Sequence, residues 1–402
     1  MKKILLCLAA GFICLAAFGQ YIPSEGNLAA REEFKEHRLG IFLHWGIYSS
    51  YAQGEWYLQN AKLDSCAYMA AAKGFYPAEF DADAWAQAFA SAGAGYVTMT
   101  SRHHDGFSMY ATKASGFNIV DGTPFGRDVL AELTQAVKAR GMKMHFYYSL
   151  IDWIRPDYPL GEEYGIPKDP SKADYNHYFE FEKVQIRELL SYEPAALWFD
   201  GIWDHTKDFD WRMPELYQYI HSLAPDCLIG NNHHQDVIEG EDFQMFEKNI
   251  PGGKVSSLPL EACETMNSAW GYRVDDQNYK SLKELVSLLV RKVSKDTNLL
   301  LNIGPMASGE LPAPAIERLR ELGDWMRANG HSVNGCGATG LPDFPWGVTT
   351  RNANHLYLHI LEPSAVPADK IIKVELDGKT YYRKVPAQLD PVDTIIDIII
   401  EN

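Results

Sequence analysis

Beyond its first 20 residues the sequence has no apolar run long enough to cross a bilayer, and no basic run longer than a few residues. The first absence excludes a helical membrane protein. The second, with a formal net charge of −16, argues against a nucleic acid or an anionic membrane surface as partner. Cysteine is scarce. Cys7 and Cys14 fall in the N-terminal apolar stretch, and Cys66, Cys227, Cys263 and Cys336 are scattered, with no C-x-x-C pair and no zinc spacing. Disulfides and buried free thiols are both open readings of these four. The dinucleotide fingerprint G-x-G-x-x-G is missing after the first candidate strand, which removes the usual nucleotide-binding open sheet. No internal repeat or low-complexity tract stands out.

What is present points to export. Lys2 and Lys3 precede an apolar run from Ile4 to Phe18, and Ala17 and Gly19 are small residues spaced for cleavage before Gln20. This is the pattern of a signal peptide, residues 1–19, and it predicts a soluble periplasmic or secreted product. The 402 residues suit one large domain and one small one. The chain has 10 Trp and 22 Tyr, rings that serve either a large aromatic core or a sugar-binding cleft.

Short apolar runs alternate with longer amphipathic stretches. Candidate strands are Gly40–His44, Gly95–Thr100, Lys143–Ser149, Ala196–Asp200, Cys227–Asn231, Leu258–Cys263 and Asn298–Ile303. Candidate helices with apolar residues at i, i+3, i+4 lie between them: Asp81–Ala92, Arg127–Arg140, Asn176–Leu190, Pro214–His221, Ser281–Val293 and Pro314–Asn329. Strands and helices alternating at this spacing predict a parallel sheet closed into a (β/α)8-like TIM barrel over residues 20–340. From 341 to 402 the pattern changes to alternating runs, His355–Ile360, Lys370–Leu376 and Thr394–Ile400, with a turn signal at Asp377-Gly378. That segment predicts a small antiparallel β domain.

Polar and aromatic residues crowd the C-terminal ends of these strands, which in a barrel face one opening. The ends carry His44-Trp45-Gly46, His103-His104-Asp105, Tyr147-Tyr148, Trp198-Phe199-Asp200-Gly201 and Asn231-Asn232-His233-His234, and the sixth candidate strand carries Glu261. Taken singly, each has an ordinary structural role available, a capping aspartate or a hydrogen-bonded core histidine. A shared bias at so many strand ends does not follow from packing. Asp200 is the sharpest candidate, because it ends a fully apolar run, and a carboxylate there needs partners or a function to offset its desolvation. A retaining glycosidase needs a second carboxyl group ~5–5.5 Å from the first. Glu247, Glu261, Glu264 and Glu55 are the candidates.

The chain resembles the α-L-fucosidases of glycoside hydrolase family 29 from about residue 22 to 340. The resemblance is carried by His44-Trp45-Gly46, Gly54-Glu55-Trp56-Tyr57, His103-His104-Asp105-Gly106-Phe107, Trp198-Phe199-Asp200-Gly201, Ser268-Ala269-Trp270-Gly271-Tyr272 and Leu299-Leu300-Leu301-Asn302-Ile303-Gly304-Pro305. It implies a barrel with a C-terminal β-sandwich and exo-cleavage of terminal L-fucose by double displacement, without a metal or other cofactor. It puts the nucleophile at Asp200 and sugar contacts at His44, His103, His104, Trp56, Tyr147 and Trp198. For the acid/base it leaves Glu261 and Glu247 level and Glu55 next, with Glu55 otherwise placed to orient the sugar. His233 stands where many members have a sugar-binding arginine, and Ser308 stands where the family has an acidic residue after the seventh strand.

Two other classes compete. One is a non-catalytic fucose- or glycan-binding protein on a degenerate barrel. The other is a metal-dependent hydrolase built on His103, His104, His233 and His234. The intact Asp200 motif counts against the first, and the missing H-x-H signature of strand one against the second.

Overall fold

A computed structural model of the chain describes residues 21–161, 166–233, 236–248 and 255–400. The expected signal peptide and His234 lie outside them. Eight parallel strands form one sheet: β1 Leu39–Leu43, β2 Tyr96–Arg102, β3 Lys143–Ser149, β4 Ala196–Asp200, β5 Leu228–Asn232, β6 Gln244–Glu247, β7 Leu260–Thr265 and β8 Thr297–Ile303. Their order is β5-β4-β3-β2-β1-β8-β7-β6, so β1 pairs with β8 and the sheet curls into a barrel. The remaining seam, between β5 and β6, has no strand ladder among the described residues. It is drawn together by Asp242, whose N–H donates to the Ile229 carbonyl at 2.7 Å and whose carboxylate accepts from the Ile229 N–H at 2.8 Å.

The alternation of each strand decides what reaches the interior. In β4, Ala196 and Trp198 join the buried cluster inside the barrel, while Leu197 and Phe199 pack outward under the helices. Asp200 therefore follows on the inner face, at the strand's C-terminal end. Burying each outer aliphatic or aromatic side chain contributes roughly 1.5–3 kcal/mol, which is what pins that register. Gly40 is inward-facing and gives way to the Tyr96 ring, since a Cβ there would stand 2.3 Å from it. The opposite end of the barrel is plugged by Phe34, from a helix over Glu25–Glu36, against Tyr96 and Phe243.

Most expected elements are present with boundaries moved by a residue or two. Several were not foreseen: the helices Glu25–Glu36, Tyr57–Asn60 and Ser65–Ala71, β6 and, in the C-terminal region, the strands Gly337–Ala338, Gly347–Arg351 and Lys379–Lys384. Strand β6 has only four residues and no apolar run, so its sequence carries almost no strand signal.

The C-terminal region is built from β9 Gly337–Ala338, β10 Gly347–Arg351, β11 His355–Ile360, β12 Ile371–Leu376, β13 Lys379–Lys384 and β14 Thr394–Ile399. One antiparallel sheet runs β14-β11-β10-β9, and β12 and β13 form a hairpin. Asp377 and Gly378 turn that hairpin with φ of 51° and 76°, the two left-handed residues of a type I′ turn. Ile372, Val374 and Leu376 of β12 meet Leu356, Leu358 and Ile398 of the other sheet. The small sheet begins at Gly337, just before the boundary expected at residue 341. Cys66 is exposed and Cys227, Cys263 and Cys336 are buried, all as free thiols.

Candidate active site

At the C-terminal end of the barrel lies a cavity of about 270 Å³. It brings together His44, Glu55, Trp56, His103, His104, Tyr147, Trp198, Asp200 and Glu247 of the expected residues. Each comes from a strand end or from the loop that follows one, which is how residues far apart in sequence converge.

Asp200 is held by donors. Its Oδ2 accepts from the Tyr147 hydroxyl at 2.9 Å, and its Oδ1 accepts from Trp203 Nε1 at 3.1 Å and Asn232 Nδ2 at 3.4 Å. Burial pushes its carboxyl up to about 6, against the pull of the Tyr147 and Trp203 bonds and with the Glu247 charge adding to the rise. Gly201 follows with a φ of 111°, turning the chain away so that the carboxylate faces the cavity.

The histidines are neutral acceptors. Asn302 gives its amide hydrogen to the Trp270 carbonyl at 2.8 Å, so its Oδ1, 2.7 Å from His44 Nδ1, requires a proton on that nitrogen. The Nε2 of His44 is then a bare acceptor, and burial lowers this imidazole to about 3, so it stays neutral. His104 repeats the arrangement. The hydroxyl proton of Ser149 goes to the Ile151 carbonyl, so His104 Nδ1, 2.6 Å from Ser149 Oγ, is the donor. Its Nε2 lies 3.6 Å from Asp200 Oδ2, two acceptors side by side at the cavity wall. His103 stacks on Tyr147 with an interplanar angle of 12°, and its Nδ1 has no hydrogen-bond partner among the described residues. Burial also holds His103 and His104 well below the ordinary imidazole range, with positive charge on His104 and His44 opposing protonation of the first and that on His44 and Arg102 opposing it in the second. No group of three or more His, Cys, Asp or Glu side chains among the described residues forms a metal-type cluster.

The candidate glutamates separate cleanly. Glu247 ends β6 on the cavity wall, and Asn232 Nδ2 reaches its Oε2 at 3.2 Å. The same nitrogen reaches both Glu247 and Asp200, so their oxygens lie no further apart than those two contacts end to end. That suits the ~5–5.5 Å of a retaining pair and is too close for most of the ~6.5–9.5 Å range of an inverting one. Glu55 also lines the cavity, but the Gly271 N–H donates to its Oε2 at 2.7 Å, tying it to the neighbouring loop. Burial raises Glu55, with the Gly271 bond opposing. Glu264 points outward, toward Lys280 at 3.6 Å.

Glu261 is a correction. It shares the inner face of β7 with Cys263, which lines the cavity, but it lies one pleat deeper. Beneath the floor it accepts from Trp198 Nε1 at 2.8 Å and from the Tyr96 hydroxyl at 2.6 Å, and it is 1 % exposed. Burial raises it to about 7. It steadies the Trp198 ring and does not face the substrate space. Glu261→Ala leaves two buried donors unpaired, and the expected result is a loss of about 2–4 kcal/mol of stability in denaturant unfolding. Activity lost through this route is not restored by azide, whereas azide rescue in that variant would return Glu261 to the acid/base role.

His233 is a second correction. Its Nε2 is 2.8 Å from Glu241 Oε1, away from the cavity, so it takes no place of a sugar-binding arginine. Trp203, Asn232 and Trp270 line the cavity and were not singled out as site residues. Trp203 follows Asp200 by one turn, and Trp270 sits in a motif already noted, so both carried a signal; nothing in the sequence distinguishes Asn232 from Asn231.

A family model described as alpha-L-fucosidase matches residues 15–331. The alpha-L-fucosidase of Dictyostelium discoideum is 30% identical over 89% of this chain and 82% of its own length. Among solved structures, alpha-L-fucosidase isoenzyme 1 from Paenibacillus thiaminolyticus superposes with a TM-score of 0.82 at 35% identity, covering 93% of this chain and all (100%) of that one. A second, a trapped covalent intermediate of the Bacteroides thetaiotaomicron alpha-L-fucosidase in complex with 2-fluoro-fucosyl fluoride, gives 0.78 at 25% identity, over 92% of this chain and 96% of that one.

Proposed function

We propose, from the premise that this chain belongs to the alpha-L-fucosidase family, that the cavity hydrolyses terminal α-L-fucosides with Asp200 as nucleophile and Glu247 as acid/base. The chain is a retaining glycoside hydrolase. The observation that carries the assignment of roles is the bridge of Asn232 between the two carboxylates.

In the first step the Asp200 carboxylate attacks the anomeric carbon. The bond from that carbon to the leaving oxygen breaks, and that oxygen takes the proton of Glu247. In the second step Glu247 removes a proton from water as the water oxygen displaces Asp200, which restores both groups and releases fucose with its starting configuration. The bare Nε2 atoms of His44 and His104 accept from sugar hydroxyls, and the rings of Trp56, Trp198 and Trp270 suit the apolar face and the C6 methyl. A pocket that close would reject a hydroxyl at C6.

Turnover of an aryl α-L-fucoside tests the reading directly, and no turnover would leave the non-catalytic binding protein. The pH profile tests the nucleophile. Asp200 must be ionised to attack, so kcat/KM should fall below about pH 6. Tyr147→Phe removes a donor that favours the ionised form, so the acid limb should move to higher pH; a limb that stays put would detach Tyr147 from the nucleophile. Residues 1–19 carry an export leader pattern, and a periplasmic or secreted location belongs to the same proposal.

A further inference from the structure

At the end of the barrel away from the catalytic cavity, beside the Phe34 plug, lies a second cavity of about 600 Å³, the size of a small-molecule site. The helix Glu25–Glu36 forms one wall, and the first residues of β2 and β3 form another. The segments 190–195 and 223–228, which lead into β4 and β5, close the rest. The chemistry proposed for Asp200 and Glu247 uses none of these residues.

His145 is the polar group that singles the cavity out. It lines the wall at 2 % exposure, stacked on Tyr96 with ring centroids 4.7 Å apart and with Phe34 at 5.6 Å. Its Nδ1 has no hydrogen-bond partner among the described residues. Burying a polar atom without a partner costs free energy, and a ligand group in the cavity can supply that partner. Burial lowers this imidazole to about 3, so the ring is neutral and one of its nitrogens is an acceptor. His37, also on the wall, is lowered by burial too, and its Nε2 likewise has no hydrogen-bond partner among the described residues.

The field over the cavity is negative. The helices Tyr175–Leu190 and Met213–Leu223 both end on it, and a helix C-terminus carries roughly half a negative charge. Among the described residues, three carboxylates line it, Glu33, Glu193 and Asp226, against one ammonium, Lys143, which Glu33 holds at 2.9 Å. Lys138 approaches Glu193 at 3.7 Å, and the Ser24 hydroxyl donates to Asp226 at 2.6 Å. Phe34, Tyr96, Leu190, Pro194, Leu223 and Pro225 supply the apolar surface. An anion is disfavoured here, and the described residues form no metal-type cluster.

We propose that this cavity is a second binding site, separate from the catalytic one, and that it takes a small organic ammonium. The protonated amine donates to a neutral imidazole and meets the carboxylate wall, while an apolar or aromatic body packs on Phe34 and Tyr96. Calorimetric titration with phenethylammonium chloride tests this, with L-fucose in excess to occupy the catalytic cavity. One site per chain is expected, with a Kd of about 1 mM or tighter, ordinary for so small a probe. 2-Phenylethanol has the same body without the charge and should bind at least about tenfold more weakly, and phenylacetate weaker still. His145→Phe keeps the ring stack and removes the acceptor, so amine affinity should fall roughly tenfold. Ala30→Trp fills the cavity from the helix side and should abolish binding, and it keeps the test decisive if His145→Phe fails to fold. No amine binding up to about 10 mM, ten times the expected Kd, would overturn the site. So would equal affinity for the alcohol, or binding that survives Ala30→Trp unchanged.

Discussion

Asp200→Gly should abolish hydrolysis, with kcat on an activated aryl fucoside falling on the order of 10⁴-fold or more, as expected when a nucleophile is deleted. The space left by the carboxylate admits a small anion. Added azide should restore part of the turnover by attacking the anomeric carbon from the side Asp200 occupied, giving a fucosyl azide of inverted configuration. The variant should remain folded, because Asp200 sits at a strand end whose register is set by Leu197 and Phe199. Near-normal hydrolysis, or rescue with retained configuration, would remove Asp200 from the nucleophile's role.

The second large effect is expected at Glu247, and its signature is dependence on the leaving group. Glu247→Ala should cost about 10²–10⁴-fold on natural glycosides, whose leaving oxygen needs a proton. On a substrate with a good leaving group the first step needs little help, so the loss should shrink and the covalent intermediate should accumulate. Azide then replaces the water that Glu247 would have activated, and the product should be the fucosyl azide of retained configuration. Glu55→Ala should lack this pattern, since its carboxylate is occupied in tying two loops. If Glu55→Ala alone shows it, the assignments of the two glutamates exchange.

How much of this could be read from the sequence differs by residue. Asp200 was legible because an apolar run ended in a charge; which way it points followed only from the inner and outer packing along β4. The acid/base was not, and the reason is height. Alternation assigns Glu261 to the inner face, and Glu247 too once β6 is known to be a strand, but it says nothing of how far up the barrel each stands. That depends on the register of β6 against β7, where Met245 lies beside Glu261 and Glu247 beside Cys263. One pleat repeat, ~6.5 Å at the usual rise, separates a residue at the cavity from one beneath its floor. The pairing is a tertiary fact with no local signature, and β6 itself was too short and too polar to be seen. His233 failed for a related reason. It immediately follows a cavity-lining asparagine, but the strand has ended there and Glu241 claims the imidazole. The histidines of the first two strands were legible as a group, whereas the protonated nitrogen of each became evident only with Asn302 and Ser149 in view.

The seam between β5 and β6 gives the two carboxylates proposed as catalytic unequal freedom to evolve. Asp200 belongs to a strand paired on both flanks, so any drift in its position must drag two neighbours. Glu247 belongs to a strand that, among the described residues, has a ladder on one flank, with β7. Insertions or shifts in the connections around β6 can relocate the proton donor while the nucleophile and the sugar-binding histidines stay fixed. A lineage built on this barrel can therefore adapt to new leaving groups by rewriting one short strand, with the Asn232 contact among those that must be kept or replaced.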